Sequence, residues 1–268
     1  MHFTVVEEEN TLIMVGSDKC IHFYNLTTGE LQKKIETESP YLHQARLNHA
    51  RTQMMVTSPL GLARLYEYPS MQLKFQWDEP GLMVNECRFS MDDQYVAIAR
   101  ADKKVVLMSC RTGQLVREFT GHQAAVEVVD FSSDNRYLVS SGRDTQVIVW
   151  DIKTGNAMYN RINLLHLAFG FSLDPIFGEY LLVDGDGHFE GTPKARDLIY
   201  LSCGLEIIEL SQLKDALYVP GLVEKIMSGQ PILYPKLSEL EICGTLPLIE
   251  KKEDGPYHYT ITPRKLGL

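Results

Sequence analysis

No stretch of about 18 consecutive apolar residues occurs in the 268-residue chain, so no segment reads as a membrane-spanning helix. The opening segment MHFTVVEEENTLIMVG also lacks the basic stretch and apolar run of a secretory leader. Phosphate-loop and dinucleotide glycine patterns are missing, which removes the usual nucleotide-binding signatures. Cysteine is sparse: Cys20, Cys87, Cys110, Cys203 and Cys243 are odd in number, widely spaced and without a CxxC pair, so neither a zinc site nor a redox dithiol is indicated. Buried free thiols in a reducing compartment are expected, and the chain is read as cytoplasmic. Positive charge is in deficit, with 26 Lys and Arg against 35 Asp and Glu and a formal net charge of −9. Such a surface repels phosphate backbones and anionic lipid, so neither nucleic acid nor membrane is an expected partner. No cofactor or metal is expected.

What the sequence does have is a globular composition, 44% hydrophobic and 23% charged, and an internal repeat. Shifting by 42 residues carries Asp144 onto Asp102, Leu60 and Asp18, and the sequences from these positions read DTQVIVWD, DKKVVLMS, LGLARLYE and DKCIHFYN. Each is an alternating apolar strand. The same shift carries Gly155 of KTGN onto Gly113 of RTGQ, Met71 of PSMQ and Gly29 of TTGE, so a turn follows each strand at a fixed distance. Phe131, Phe89, Leu47 and Val5 form a further column, and the first three are followed by the turn sequences SSDN, SMDD and NHAR, with EEEN one position further on in the first copy. Every copy holds four short period-2 segments separated by turn residues, which predicts a four-stranded antiparallel meander, the size of one propeller blade.

The fourth copy begins with Gly121-His122, continues through SSGRD and ends with VIVWD, placing Trp150 six residues after Asp144. In these features the chain resembles the WD-repeat family. The resemblance implies a hydrogen-bonded chain of His122, Ser140 or Ser141, Asp144 and Trp150, with a structural role rather than that of a hydrolase triad. The other copies are degenerate, with Tyr24, Tyr66 and Met108 in the tryptophan column and no Gly-His pair at the matching positions. The fourth blade is therefore expected to carry the only complete network and to be the best protected from hydrogen exchange.

Past Arg161 the pattern weakens. FGFSLDPIFGEYLLVDGDG begins a fifth copy, with Asp186 again 42 residues after Asp144, but HFEGTP interrupts the third strand and puts Pro193 where a central strand would donate a ladder bond. DLIYLSC and LEIIEL read as strands. SQLKDALY and PGLVEKIMSG read as two short helices, with Ser211 as N-cap of the first and Pro220 in the first turn of the second, which Gly229 stops. Two alternating segments flank the turn EDGP near the end. The expected fold is all-β and propeller-type, with four clear blades over 1–161, a degenerate fifth blade and helical connector over 162–232, and a C-terminal β segment over 233–268, the last two forming a small mixed α+β region. The segment from YLLVDGDGHFEGTP to PGLVEKIMSG resembles the region following the propeller in bacterial proteins that join WD repeats to a caspase-like peptidase. That resemblance implies the non-catalytic part of such a protein, since no cysteine lies in a nucleophile-like context.

DGDGH at 184–188 starts like a calcium loop but has Ala195 where the bidentate glutamate belongs, so a tight turn is expected. Arg100 and Arg143 sit beside homologous turns and are candidate contacts for an acidic partner. The expected function is a non-catalytic protein-interaction scaffold or sensor module, positioning or regulating a caspase-like peptidase. The alternative is a hydrolase with a site around Asp184, Asp186 and His188. Because the blades found fall short of a full ring, association with a second copy or the rest of a parent protein, through a blade edge or the C-terminal segment, is also expected.

Overall fold

The computed structural model describes residues 2–163, 179–198, 200–203, 206–240, 248–251 and 259–262. The chain divides into two compact units, Met1–Met158 and Tyr159–Leu268. In the first unit the repeat folds as antiparallel meanders. The first blade contains β1 (His2–Val6), β2 (Thr11–Val15), β3 (Cys20–Asn25) and β4 (Leu31–Glu36); the second contains β5 (Gln44–Leu47), β6 (Gln53–Thr57), β7 (Ala63–Glu67) and β8 (Gln72–Gln76). The third contains β9 (Val84–Phe89), β10 (Tyr95–Arg100), β11 (Lys104–Ser109) and β12 (Leu115–Thr120). β13 (Val126–Phe131), β14 (Tyr137–Gly142) and β15 (Gln146–Asp151) begin the fourth.

β1 packs on β5, β5 on β9, and β9 on β13, so the first strand of each blade is innermost. The fourth strands, β4, β8 and β12, are mostly exposed, as outermost strands must be. Period-2 alternation gives each blade two buried faces. Ala45, Leu47 and Met54 face back to Ile13, Ile21 and Phe23 of the first blade, and Cys87, Phe89 and Val96 face back to Met55, Ala63 and Leu65 of the second. Val129, Phe131 and Leu138 face back to Ala97, Ala99, Val105 and Leu107 of the third. Apolar side chains dominate the stack at each joint, with inter-blade hydrogen bonds such as the Cys87 N–H to Gln44 Oε1 set among them.

The turns repeat more faithfully than their residues do. Lys19, Gly61, Lys103 and Thr145 all have positive φ before the third strand, as do Gly29, Met71, Gly113 and Gly155 after it. At Gly113 and Gly155 a side chain is excluded twice over. Besides φ of 71° and 83°, a Cβ would lie 2.5 Å from the Phe75 ring and 2.6 Å from the Arg117 guanidinium.

In the second unit β16 (Ala157–Asn163), from Tyr159 onward, pairs with β17 (Tyr180–Asp184), which pairs with β18 (Phe189–Gly191). β17 and β18 of the expected fifth blade follow β16 by antiparallel pairing, and the FGFSLDPIFG segment expected to begin that blade lies outside the described residues. Where HFEGTP was expected to break the third strand, a three-residue strand survives, and Thr192-Pro193 then turns the chain into α1 (Pro193–Leu198). β19 (Tyr200–Cys203) pairs with β20 (Glu206–Glu209), and β21 (Leu248–Lys251) pairs with β22 (Tyr259–Thr262). The EDGP turn lies outside the described residues.

Both helix-start expectations need correction. Ser211 lies inside a 3-10 turn, Leu210–Leu213, that precedes α2 (Lys214–Leu217), so it does not cap that helix. Pro220 precedes the cap residue Gly221 of α3 (Leu222–Ser228), and the free N–H groups of Gly221 and Leu222 donate to the Glu190 carboxylate at 3.0 and 2.9 Å. Gly229 does stop α3, in the left-handed conformation, while the Gln230 N–H bonds back to Lys225 O. Leu181, Phe189, Leu213 and Leu217 form the main core of this unit. Among the described residues no helix is long and apolar enough to cross a membrane.

Candidate functional site

The fourth blade assembles four polar side chains from four places in the sequence. His122 lies in the loop after β12, Ser140 on β14, Asp144 in the next turn and Trp150 on β15. Trp150 Nε1–H donates to Ser140 Oγ at 2.8 Å, Ser140 Oγ lies 2.8 Å from His122 Nε2, and His122 Nδ1 lies 3.0 Å from Asp144 Oδ2. One proton arrangement satisfies every partner. The indole donates to the hydroxyl, the hydroxyl donates to Nε2, and Nδ1–H donates to the carboxylate. Gly142 belongs to the same construction, because a Cβ there would come within 2.9 Å of His122 Nδ1, Asp144 Oδ1 and Ala125 O. Of the two serines allowed by the sequence, Ser140 makes the contacts. Ser141 pairs across the ladder with Val147 and, by strand alternation, points to the opposite face.

Serine, histidine and aspartate in this order and at these distances match the geometry of an acyl-transfer triad. Burial decides against that chemistry. Ser140 is 1% exposed and its oxygen is held by the indole N–H, so no substrate reaches it. Asp144 is held the same way. Burial pushes its carboxyl up, but hydrogen bonds from the Gln123 N–H, His122 and the Gln146 N–H outweigh this and leave it below its usual value. Cys87 and Cys110 are buried free thiols whose pKa burial pushes up to about 12, the opposite of a nucleophile.

The two candidate arginines differ. Arg100 is largely covered and clamped between Asp102 at 2.7 Å and Glu79 at 2.8 Å, so it is not the exposed group expected. Arg143 is exposed and pairs with Glu127 at 2.7 Å. Arg100 rims a cleft of about 240 Å3 over Val84, Ile98 and Met108, below the size of ordinary small-molecule sites. In the second unit Asp184 and His188 do meet, with Nδ1 2.8 Å from Oδ2, whereas Asp186 turns away to Lys236 at 3.0 Å. Asp184 also accepts the N–H groups of Asp186 and His188, which makes DGDGH a turn, and His188 Nε2 lies 3.3 Å from Tyr234 O.

Sequence reading missed two features. Asp18, Cys20 and His22 alternate along one face and bring three donor atoms within 4.8 Å of one another, a mixed set suited to a borderline ion such as zinc. Here they form an Asp–His pair at 2.6 Å beside a buried thiol. The second feature is a pair of repeated latches between blades. Asp93 accepts the N–H groups of His49 and Ala50, and 42 residues later Asn135 accepts the Met91 N–H. On the outer strands Arg117 donates to Lys153 O and Thr154 O, and Lys33 to Pro69 O. The two-repeat spacing of these donors, 84 residues, was visible; which carbonyl each would reach was not.

The repeated meander of blade dimensions carries one complete His-Ser-Asp-Trp network, in its fourth blade. Residues 113–151 match the family described as WD domain, G-beta repeat. That match runs from the turn before β12 to the end of β15, so the repeat is offset from the blade and ties the third to the fourth. Among curated proteins, the chain is 25% identical over 145 residues to U3 small nucleolar RNA-associated protein 21 of Saccharomyces cerevisiae, covering 53% of this chain and 15% of that protein. It is 25% identical over 158 residues to WD repeat-containing protein 1 of Xenopus tropicalis, covering 57% and 26%. It is 33% identical over 72 residues to the Set1 complex component swd1 of Schizosaccharomyces pombe, covering 27% and 18%. These likenesses support a WD-repeat family for the chain, which spans about a quarter or less of each of these three relatives.

Proposed function

We propose that this chain is a non-catalytic scaffold for protein–protein interaction. One observation carries the reading: the residues that could do chemistry are buried and bonded to one another, while the blade turns stay exposed on a rigid frame. The names of two relatives, a Set1 complex component and a small nucleolar RNA-associated protein, support action within a multi-subunit complex. Positioning or regulating a caspase-like peptidase is a narrower version, supported only by the resemblance of the segment around 180–229. The relatives named above are eukaryotic, which weakens the bacterial source that resemblance implied. Buried, high-pKa thiols at Cys87 and Cys110 support a reducing, cytoplasmic setting.

The hydrolase alternative around Asp184, Asp186 and His188 loses its support at His188, whose two ring nitrogens both have partners and which is 2% exposed. Affinity purification of the tagged chain from its host, with cross-linking and mass spectrometry, tests the scaffold reading. A stoichiometric protein partner that is lost on Arg143→Glu is the expected result. Hydrolysis of an ester or peptide substrate that disappears in His188→Ala, without any stoichiometric partner, would overturn it.

A further inference from the structure

The joint between the third and fourth blades is filled by rings. The Phe119 and Trp150 centroids lie 5.6 Å apart, His122 lies 6.5 Å from the same indole, and a Cβ on Gly121 would come within 2.9 Å of Trp150 Cη2. All three ring residues are buried. The residues 42 positions before Trp150, His122, Gly121 and Phe119 are Met108, Pro80, Glu79 and Trp77, so in the joint between the second and third blades a thioether and a pyrrolidine replace an indole and an imidazole. Met108, Glu79 and Trp77 line the cleft of about 240 Å3 noted above, together with Val84, Ile98 and Val106. Trp77 is half-buried there, whereas Phe119 is 1% exposed. The cleft thus occupies the place that aromatic side chains fill one repeat later.

Size, lining and charge select an occupant. An apolar cavity of about 150 Å3 holds a benzene ring, so this cleft has room for one phenyl or indole side chain but not for a cofactor-sized ligand. Ala63, Val84, Ile98 and Met108 lack packing partners across the gap, and a flat ring restores those dispersion contacts. The Trp77 wall is already fixed, because its Nε1–H donates to Gly113 O at 2.7 Å and its ring stacks on Phe75. Little ordering is then needed on binding. Asp78, Glu79 and Glu118 surround the mouth together with Arg100, whose guanidinium is divided between Asp102 and Glu79. Glu79 is 56% exposed and keeps negative charge at the entrance, in a chain of formal net charge −9. A cation beside the inserted ring is therefore favoured and a carboxylate repelled. We infer that this cleft docks one aromatic side chain of a partner protein, flanked by lysine or arginine.

Such docking rests on the interaction reading, and a peptide titration of the purified chain separates the two. The chain has two tryptophans, so the indole N–H signals of 15N-labelled protein report the cleft at Trp77 and the filled joint at Trp150. Acetyl-Arg-Trp-Arg-amide is expected to shift the Trp77 signal, leave that of Trp150 in place, and bind at least about tenfold more tightly than acetyl-Arg-Ala-Arg-amide. Met108→Phe supplies a ring from within, without an indole N–H that Ile98 could not accept, and is expected to weaken binding at least about tenfold with an unchanged circular dichroism spectrum. Glu79→Arg, at an exposed position that puts folding at no risk, is expected to reverse the charge preference towards acetyl-Glu-Trp-Glu-amide. A Trp77 signal that stays in place, equal binding of the alanine peptide, indifference to Glu79→Arg, or full binding by a folded Met108→Phe protein would each defeat docking in the cleft. None of these results would touch capture of a partner through Arg143.

Discussion

The third and fourth blades solve one structural problem with opposite chemistry. Behind the third strand of the fourth blade stands Ser140, hydrogen-bonded to Trp150 and His122; at the same place in the third blade stands Ile98, opposite Val106 and beside Met108. Both positions are buried, at 1% and 2% exposure, on strands of the same register. The polar solution requires all its members, because a half-satisfied buried network is worse than none. In the third blade the members are replaced together: Pro80 stands where His122 would, Met108 replaces the tryptophan, and Asp102 turns to Arg100 instead. The fold therefore depends on each blade being internally consistent, not on the motif.

The comparison can be broken most severely at His122. Replacing it with Ala strips partners from both Ser140 and Asp144, so urea unfolding should show a loss of about 3 kcal/mol. The third blade has no equivalent group to lose. Trp150→Phe keeps the apolar bulk but removes the N–H that Ser140 accepts, and a loss of about 1–3 kcal/mol in the same assay is expected. An unchanged melting temperature would mean the indole bond contributes nothing. Gly155→Ala forces a Cβ against Arg117 at positive φ, and about 1–2 kcal/mol should be lost.

Acidity sharpens the contrast further. The folded-state pKa of Asp144 lies below its unfolded value, so its contribution is complete above about pH 4 and fades as pH falls through the folded value. Asp144→Asn should flatten the acid limb of a stability-against-pH curve, an effect of about 1 kcal/mol or less. The subtlest test is amide exchange. Sequence alone favours the fourth blade as the most protected, yet the third has both faces covered, whereas the forward face of the fourth is half open. Exchange should therefore be slowest in β10 and β11, and slower exchange in β14 and β15 would reverse that ranking.

Much of the architecture was legible because blade-forming signals are local. Alternation sets the strands, and Asp, Asn and Gly mark turns whose positive φ recurs even at Lys103 and Met71. Strand parity also held the choice of Ser140 over Ser141, since Ser140 shares a face with Leu138 and so with the tryptophan beside it. Ser211 gave a local cap cue but lies inside the 3-10 turn before α2, and beside Pro220 the cap of α3 comes from Glu190, some 30 residues away. A capping carboxylate that distant leaves no local pattern to read.

The sequence by itself determined the repeat, the meander, the network members His122, Asp144 and Trp150 with either Ser140 or Ser141, and the degeneracy of the other blades, all properties of spacing within about 42 residues. Only the tertiary structure decided that Arg100 is clamped between two carboxylates, that Asp93 and Asn135 latch neighbouring blades, and that Phe3 stands exposed where Ala45, Cys87 and Val129 are buried. The physical reason is that period-2 alternation says which side of a strand a residue occupies, whereas burial and pairing depend on what lies across the joint, one full repeat away in the chain.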